Sequence, residues 1–108
     1  MRKAQQYIED NYARKITVDH LALQFAVSRR SLERRFKTAT GNTVSEYLQR
    51  VRVEAAKKRL ETSRKTVNEV MFEVGYTDTK AFRMVFRRVA GMSPFDYRSR
   101  YARMAAPA

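Results

Sequence analysis

The sequence predicts an all-α chain of about seven helices, in which two copies of a short helical pattern are joined by one long connector helix. Three observations predict it. Breakers are sparse, with glycine only at 41, 75 and 91 and proline only at 94 and 107, so helical patterns run on uninterrupted. No segment sustains the period-two alternation of a half-buried strand. One phrase is spelled twice, fifty residues apart, as "FKTATGNTVSEYL" from Phe36 and "FRRVAGMSPFDYR" from Phe86. Each copy runs Phe, a basic residue, then Gly, with Thr or Ser two later and an acid followed by Tyr beyond it.

The elements follow in order. "KAQQYIEDNYA" places Ala4, Tyr7, Ile8 and Tyr12 on one helical face. "TVDHLALQF" opens with Thr17 as N-cap and carries Leu21, Leu23 and Phe25 as its apolar residues. "VSRRSLERRFKTATG" has Ser28 as cap, Leu32 and Phe36 facing inward, and Gly41 as its stop. "NTVSEYLQRVRVEAAKKRLETS" is the longest candidate and starts with the capping box Thr43-x-x-Glu46. "TVNEVMFEVG" repeats that device with Thr66 and Glu69. "DTKAFRMVFRRVAG" buries Phe82, Phe86 and Val89 and ends at Gly91. "SPFDYRSRY" starts with Ser93 as cap, Pro94 at the first helical position, and Asp96 closing the box.

Thr17 and Val18 map on Thr66 and Val67 at a spacing of 49, whereas Phe36, Gly41 and Tyr47 map on Phe86, Gly91 and Tyr97 at 50. The one-residue slip is expected near Lys80 and Ala81. The turns read "FAVS" and "VGYT", with Gly75 available for positive φ in the second. Two helices joined by such a turn describe a helix-turn-helix, whose second helix can enter a major groove. Residues 1–43 are therefore expected to form a first helix-turn-helix subdomain, 44–63 the connector, 64–101 a second subdomain, and 102–108 a disordered tail.

Charge placement carries the functional reading. Lys and Arg outnumber Asp and Glu 23 to 11, a formal charge of +12, which calls for a polyanionic partner. At 100° per residue, Arg30, Glu33, Arg34 and Lys37 lie opposite Leu32, Phe36 and Ala39. In the second copy Lys80, Arg83, Met84 and Arg87 lie opposite Phe82, Phe86 and Val89. The connector from Val44 to Glu61 would span about 27 Å at 1.5 Å per residue, of the order of the roughly 34 Å between adjacent major grooves on one DNA face. It carries two apolar stripes: Val44, Tyr47, Leu48, Val51 and Ala55 on one side, Val53, Ala56 and Leu60 well round from it. Its start is expected to pack on the first copy and its end on the second.

Other functions find little support. With no cysteine and one histidine, thiolate metal sites and disulfides are excluded and an intracellular, cytoplasmic setting is expected. His20 reads as a surface or capping residue, and no carboxylate pair stands out, so no enzyme, no metal and no cofactor is expected. No run is apolar enough for a membrane span or signal peptide. A membrane-surface role is disfavoured because the aromatic residues occupy expected core positions of the repeat.

"VSRRSLERRFKTATGNTVSEYLQRVRVEAAKKRL" and "VNEVMFEVGYTDTKAFRMVFRRVAGMSPFDYR" resemble the DNA-binding domain of AraC/XylS-type bacterial transcription regulators over about Thr17 to Arg100. The resemblance is carried by L-x-R-x-F-K before a glycine, R-x-x-x-A from Arg52 to Ala56, Gly75-Tyr76, and G-x-S-P-x-x-Y-R at the end. It implies seven helices in two helix-turn-helix subdomains, binding double-stranded DNA and regulating transcription, often by contacting RNA polymerase. It also implies base reading by Arg30, Glu33 and Arg34 in the first copy and by Thr79, Lys80, Arg83 and Met84 in the second. Arg34 is suited to guanine O6 and N7, and Glu33 either to cytosine N4 or to a helical salt bridge with Arg29 or Lys37. The family's common basic residue at the Met84 position is absent, leaving a thymine methyl as its natural contact. Phosphates fall to Thr17, Arg35, Lys37, Thr66, Arg87 and Arg88, with Arg50, Arg52, Lys57 and Lys58 as weaker candidates. A monomer is expected for the chain as given, which is either the C-terminal domain of a longer regulator or a free-standing small one; in a longer regulator dimerisation would fall to an N-terminal sensor domain of the kind family members often carry. The alternative function is a basic protein-docking module on an acidic partner such as RNA polymerase.

Overall fold

The computed structural model describes residues 1–103, which form seven α-helices and no strand. The expected tail therefore lies, from residue 104 on, outside the described residues. In order, the helices are α1 (Arg2–Asn11), α2 (Val18–Gln24), α3 (Arg29–Thr40), α4 (Val44–Thr62), α5 (Val67–Glu73), α6 (Thr79–Ala90) and α7 (Pro94–Tyr101). Two compact units divide the chain inside α4, at Val51 and Arg52.

Side-chain caps start most of these helices. Thr17, Ser28, Thr66 and Ser93 each accept from the backbone N–H three residues on. Thr43 accepts from Glu46 N at 3.1 Å while its own N–H donates to the Glu46 carboxylate at 2.8 Å, a reciprocal pair repeated by Thr66 and Glu69. Asp78 caps α6 by accepting from Lys80 N at 3.0 Å. Gly41 and Gly91 end α3 and α6 in the left-handed conformation, their N–H groups bonded four residues back.

In the first unit Ala4, Ile8, Leu21, Ala22, Leu32, Phe36, Val44 and Leu48 form the core. In the second, Val53, Ala56, Leu60, Val70, Met71, Val74, Phe82, Val85, Phe86 and Tyr97 are buried. The α4 helix thus contributes Val44 and Leu48 to one unit and Val53, Ala56 and Leu60 to the other, which is why its apolar residues form two stripes. Phe36 meets the Tyr47 ring edge-on at 5.2 Å, and Phe86 meets Tyr97 in the same way at 5.7 Å. The doubled phrase is therefore a packing device: Phe anchors the second helix of each helix-turn-helix, Gly ends it, and Tyr on the next helix closes over the Phe.

The repeat reaches further upstream than the quoted phrase. Ala4, Ile8 and Glu9 on α1 correspond, at a spacing of 52, to Ala56, Leu60 and Glu61 on α4. The first two of each set are buried. The Tyr47 hydroxyl donates to Glu9, and the Tyr97 hydroxyl donates to Glu61. The second half of α4 therefore does for the second unit what α1 does for the first.

Three expectations are corrected. The slip does not fall near Lys80 and Ala81 but in the turn before them. The C-caps Phe25 and Val74 are 49 apart and the N-caps Ser28 and Asp78 are 50 apart, so the extra residue lies between Gly75 and Asp78. Ala39 is exposed, and Val89 is only half-buried while Val85 takes the core position. Phe72 and Phe95 also stand exposed, so the aromatic residues are not all core residues. In the first turn Ala26 adopts φ 54°, matching Gly75 at φ 105° in the second. An alanine has been placed where the fold demands a left-handed residue.

Candidate nucleic-acid interface

Burial of Leu32 and Phe36 turns the opposite face of α3 outward. Arg30 and Arg34 are exposed there, and among the described residues neither guanidinium has an internal partner. Arg35 is also exposed, beside Phe25 and Val27 and near Arg2 and Lys3. Lys37 is exposed but lies 3.8 Å from Glu46. The Glu46 carboxyl is held below its ordinary range, chiefly by the Thr43 backbone hydrogen bond and then by Lys37. Arg29, at the start of α3, lies 3.4 Å from Asp19 on α2, an exposed pair that orients rather than stabilises.

Glu33 is placed differently from its neighbours. It is half-buried, and its carboxylate accepts from Val44 N at 3.3 Å, at the start of α4. The carboxylate is therefore engaged with its own backbone, rather than with Arg29 or Lys37. No spacing within α3 announces this, because the partner lies eleven residues away in another helix.

On α6, burial of Phe82, Val85 and Phe86 presents Lys80, Arg83, Met84 and Arg87 to solvent, with Thr79 half-buried in the first turn. Met84 is 62% exposed, a large apolar exposure on a polar helix face. Arg88 is exposed and already has an internal interaction, whereas Arg83 and Arg87 have none among the described residues. The caps Thr17 and Thr66 are exposed, and since their oxygens accept backbone N–H groups their hydroxyl protons remain available to donate.

The connector cations are mostly engaged. Arg50 donates to Asn42 at 3.3 Å, Arg52 lies over the Tyr76 ring at 5.0 Å, and Lys57 lies 3.3 Å from Glu54. Arg59 pairs with Glu73 at 3.0 Å and Lys65 closes on the same carboxylate. Lys58 is exposed. The described residues contain no cluster of three or more potential metal ligands and no helix long and apolar enough to cross a membrane.

Two helix-turn-helix units, each with a cationic outer face on its second helix, define a DNA-binding class. The chain belongs to the AraC-type helix-turn-helix family: residues 21–100 match the family model described as "Helix-turn-helix domain". Among curated relatives, the HTH-type transcriptional activator RhaS of Klebsiella pneumoniae is 38% identical over 92 residues. That match covers 85% of this chain and 33% of RhaS, so the chain spans about a third of that relative's length. Among solved structures, the C-terminal domain of AraT, a response regulator from Geobacillus stearothermophilus, matches with TM-score 0.92 and 27% identity over 99% of this chain and 89% of that one. The DNA-binding domain of AdpA, solved in complex with a target DNA, matches with TM-score 0.87 and 34% identity over 93% and 90%.

Proposed function

We propose that this chain reads double-stranded DNA sequence-specifically through α3 and α6, set in adjacent major grooves, as part of a bacterial transcription regulator. The observation that supports this best is the pair of recognition helices, each exposing cations without internal partners opposite a buried stripe. The likeness to the AdpA domain, which is solved on its target DNA, favours duplex DNA over an acidic protein as the partner.

In this reading Arg30 and Arg34 contact base edges from α3, and Thr79, Lys80, Arg83 and Met84 do so from α6. Arg34 is the guanine reader and Met84 meets a thymine methyl. Thr17, Arg35, Lys37, Thr66, Arg87 and Arg88 hold backbone phosphates. With six to eight phosphates neutralised, log K falls against log salt with a slope of about −5 to −7.

The test is a titration at matched salt of the unchanged chain and Arg34→Ala against a selected duplex and its scramble. Arg34→Ala is expected to cost roughly 1–3 kcal/mol on the selected duplex and to relax preference at one base step. Equal affinity of the unchanged chain for both duplexes removes the claim of sequence reading.

A further inference from the structure

A groove of about 550 Å³ in the second unit is lined by Thr66 and Asn68 of α5, Arg83 and Arg87 of α6, and Ser93 and Phe95 at α7. Arg83 and Arg87 lie four apart, so they share a helix face and repel each other. Among the described residues neither has an ion pair or hydrogen bond that would offset this. Two like charges facing one cleft without a counter-charge are an arrangement that an anion completes.

The internal repeat shows what that anion replaces. At the spacing of 50, Arg83 and Arg87 correspond to Glu33 and Lys37. In the first unit the Glu33 carboxylate accepts from Val44 N at 3.3 Å, and Lys37 has Glu46 at 3.8 Å. That copy carries its own anion. In the second copy the acid has become Arg83, and the residue matching Val44 is Pro94, which has no N–H to donate. Asp19, which lies 3.4 Å from Arg29, has become Asn68. The same architecture has exchanged one carboxylate for a guanidinium, while Arg87 keeps the charge of Lys37 and, among the described residues, forms no ion pair with Asp96, which stands in the place of Glu46.

We propose that this groove seats one backbone phosphodiester of duplex DNA, held jointly by Arg83 and Arg87, and that Arg83 acts there rather than on a base edge. The inference rests on the reading of the chain as a duplex-binding domain and redistributes the work within it. Base reading from α6 then falls to Thr79, Lys80 and Met84, and the second unit fixes the backbone more than it reads sequence.

The experiment compares the unchanged chain with Arg83→Ala, Arg87→Ala and the double variant, on a selected duplex and its scramble, across a salt series. The altered side chains are exposed, and helical circular dichroism confirms folding of each variant. The double variant is expected to weaken both duplexes by the same factor, about eightfold near 0.1 M salt, and to reduce the salt slope by about 0.9. A methylphosphonate placed at one backbone position should make the duplex insensitive to the double variant. A loss from Arg83→Ala confined to the selected duplex overturns the proposal, and so does a slope reduction of about 1.8, which means two separate phosphates. An unchanged chain that binds duplex while the double variant binds equally well overturns the groove alone. Absence of duplex binding by the unchanged chain overturns the functional reading itself, and the groove with it.

Discussion

Ala26→Gly is expected to stabilise the first unit. Ala26 is exposed at φ 54°, so its methyl group makes no core contact that glycine would lose. A left-handed alanine costs roughly 1–2 kcal/mol relative to its right-handed state. Against that, glycine raises the entropy of the unfolded chain by about 0.4–1 kcal/mol. The difference leaves a net gain of about 0.5–1 kcal/mol. The reverse change, Gly75→Ala, should cost at least as much, because φ 105° lies outside the narrow left-handed region open to alanine. Urea unfolding followed by helical circular dichroism, with amide exchange to separate the units, reads both. With a slope of about 1–2 kcal/mol/M, Ala26→Gly moves the first unit's midpoint up by roughly 0.3–1 M. A midpoint that stays put or falls refutes the claim that the turn strains its alanine.

Other outcomes follow from single contacts. The Tyr76 hydroxyl is buried without a well-formed hydrogen bond and has only the Arg52 guanidinium against it, so Tyr76→Phe should leave stability unchanged or raise it by about 1 kcal/mol; a clear drop in melting temperature would mean that the contact with Arg52 is a full hydrogen bond. Lys65 first, and then Arg59, hold the Glu73 carboxyl below its ordinary 4.5. Its stabilisation is therefore present above about pH 4.5 and lost as pH falls through the lowered value, and Glu73→Gln should narrow its deficit against the unchanged chain over that range. A deficit constant from neutral to acid pH contradicts this. Burial, and then the bonds to Glu9 and Glu61, push the Tyr47 and Tyr97 hydroxyls up to about 12. Stability from these groups is complete below pH 10 and lost between about 10 and 12, so the double Phe variant should lose less stability over that interval than the unchanged chain. Glu33→Gln should lower the first unit's stability and leave sequence preference intact, whereas a changed base preference would put Glu33 on the DNA.

Much of this architecture was legible because it is written in local chemistry. Thr17, Ser28, Thr43, Thr66 and Ser93 cap helices where a short oxygen-bearing side chain precedes an apolar period. Gly41 and Gly91 end helices where left-handed backbone is needed. What was not legible depends on partners distant in the chain. Glu33 reads as one more residue on a basic helix face until Val44 N–H is seen against it. Ala39 has the right period for burial but stands exposed, and Ala26 sits at a left-handed position that alanine does not signal. The groove around Arg83 gathers residues from three helices, so no spacing along one of them reveals it. The counterpart relation of α1 to the second half of α4 was hidden because the connector's continuity masks where one repeat ends and the next begins.

Selection of bound duplexes from a random pool with the unchanged chain decides whether both recognition helices read sequence. Two short preferred elements should emerge about one helical turn apart, the spacing of adjacent major grooves on one face. Arg34→Ala should erase preference at one step in one element, and Lys80→Ala should erase preference only in the other. Recovery of a single element, or of duplexes with no shared sequence, would contradict reading by both helices.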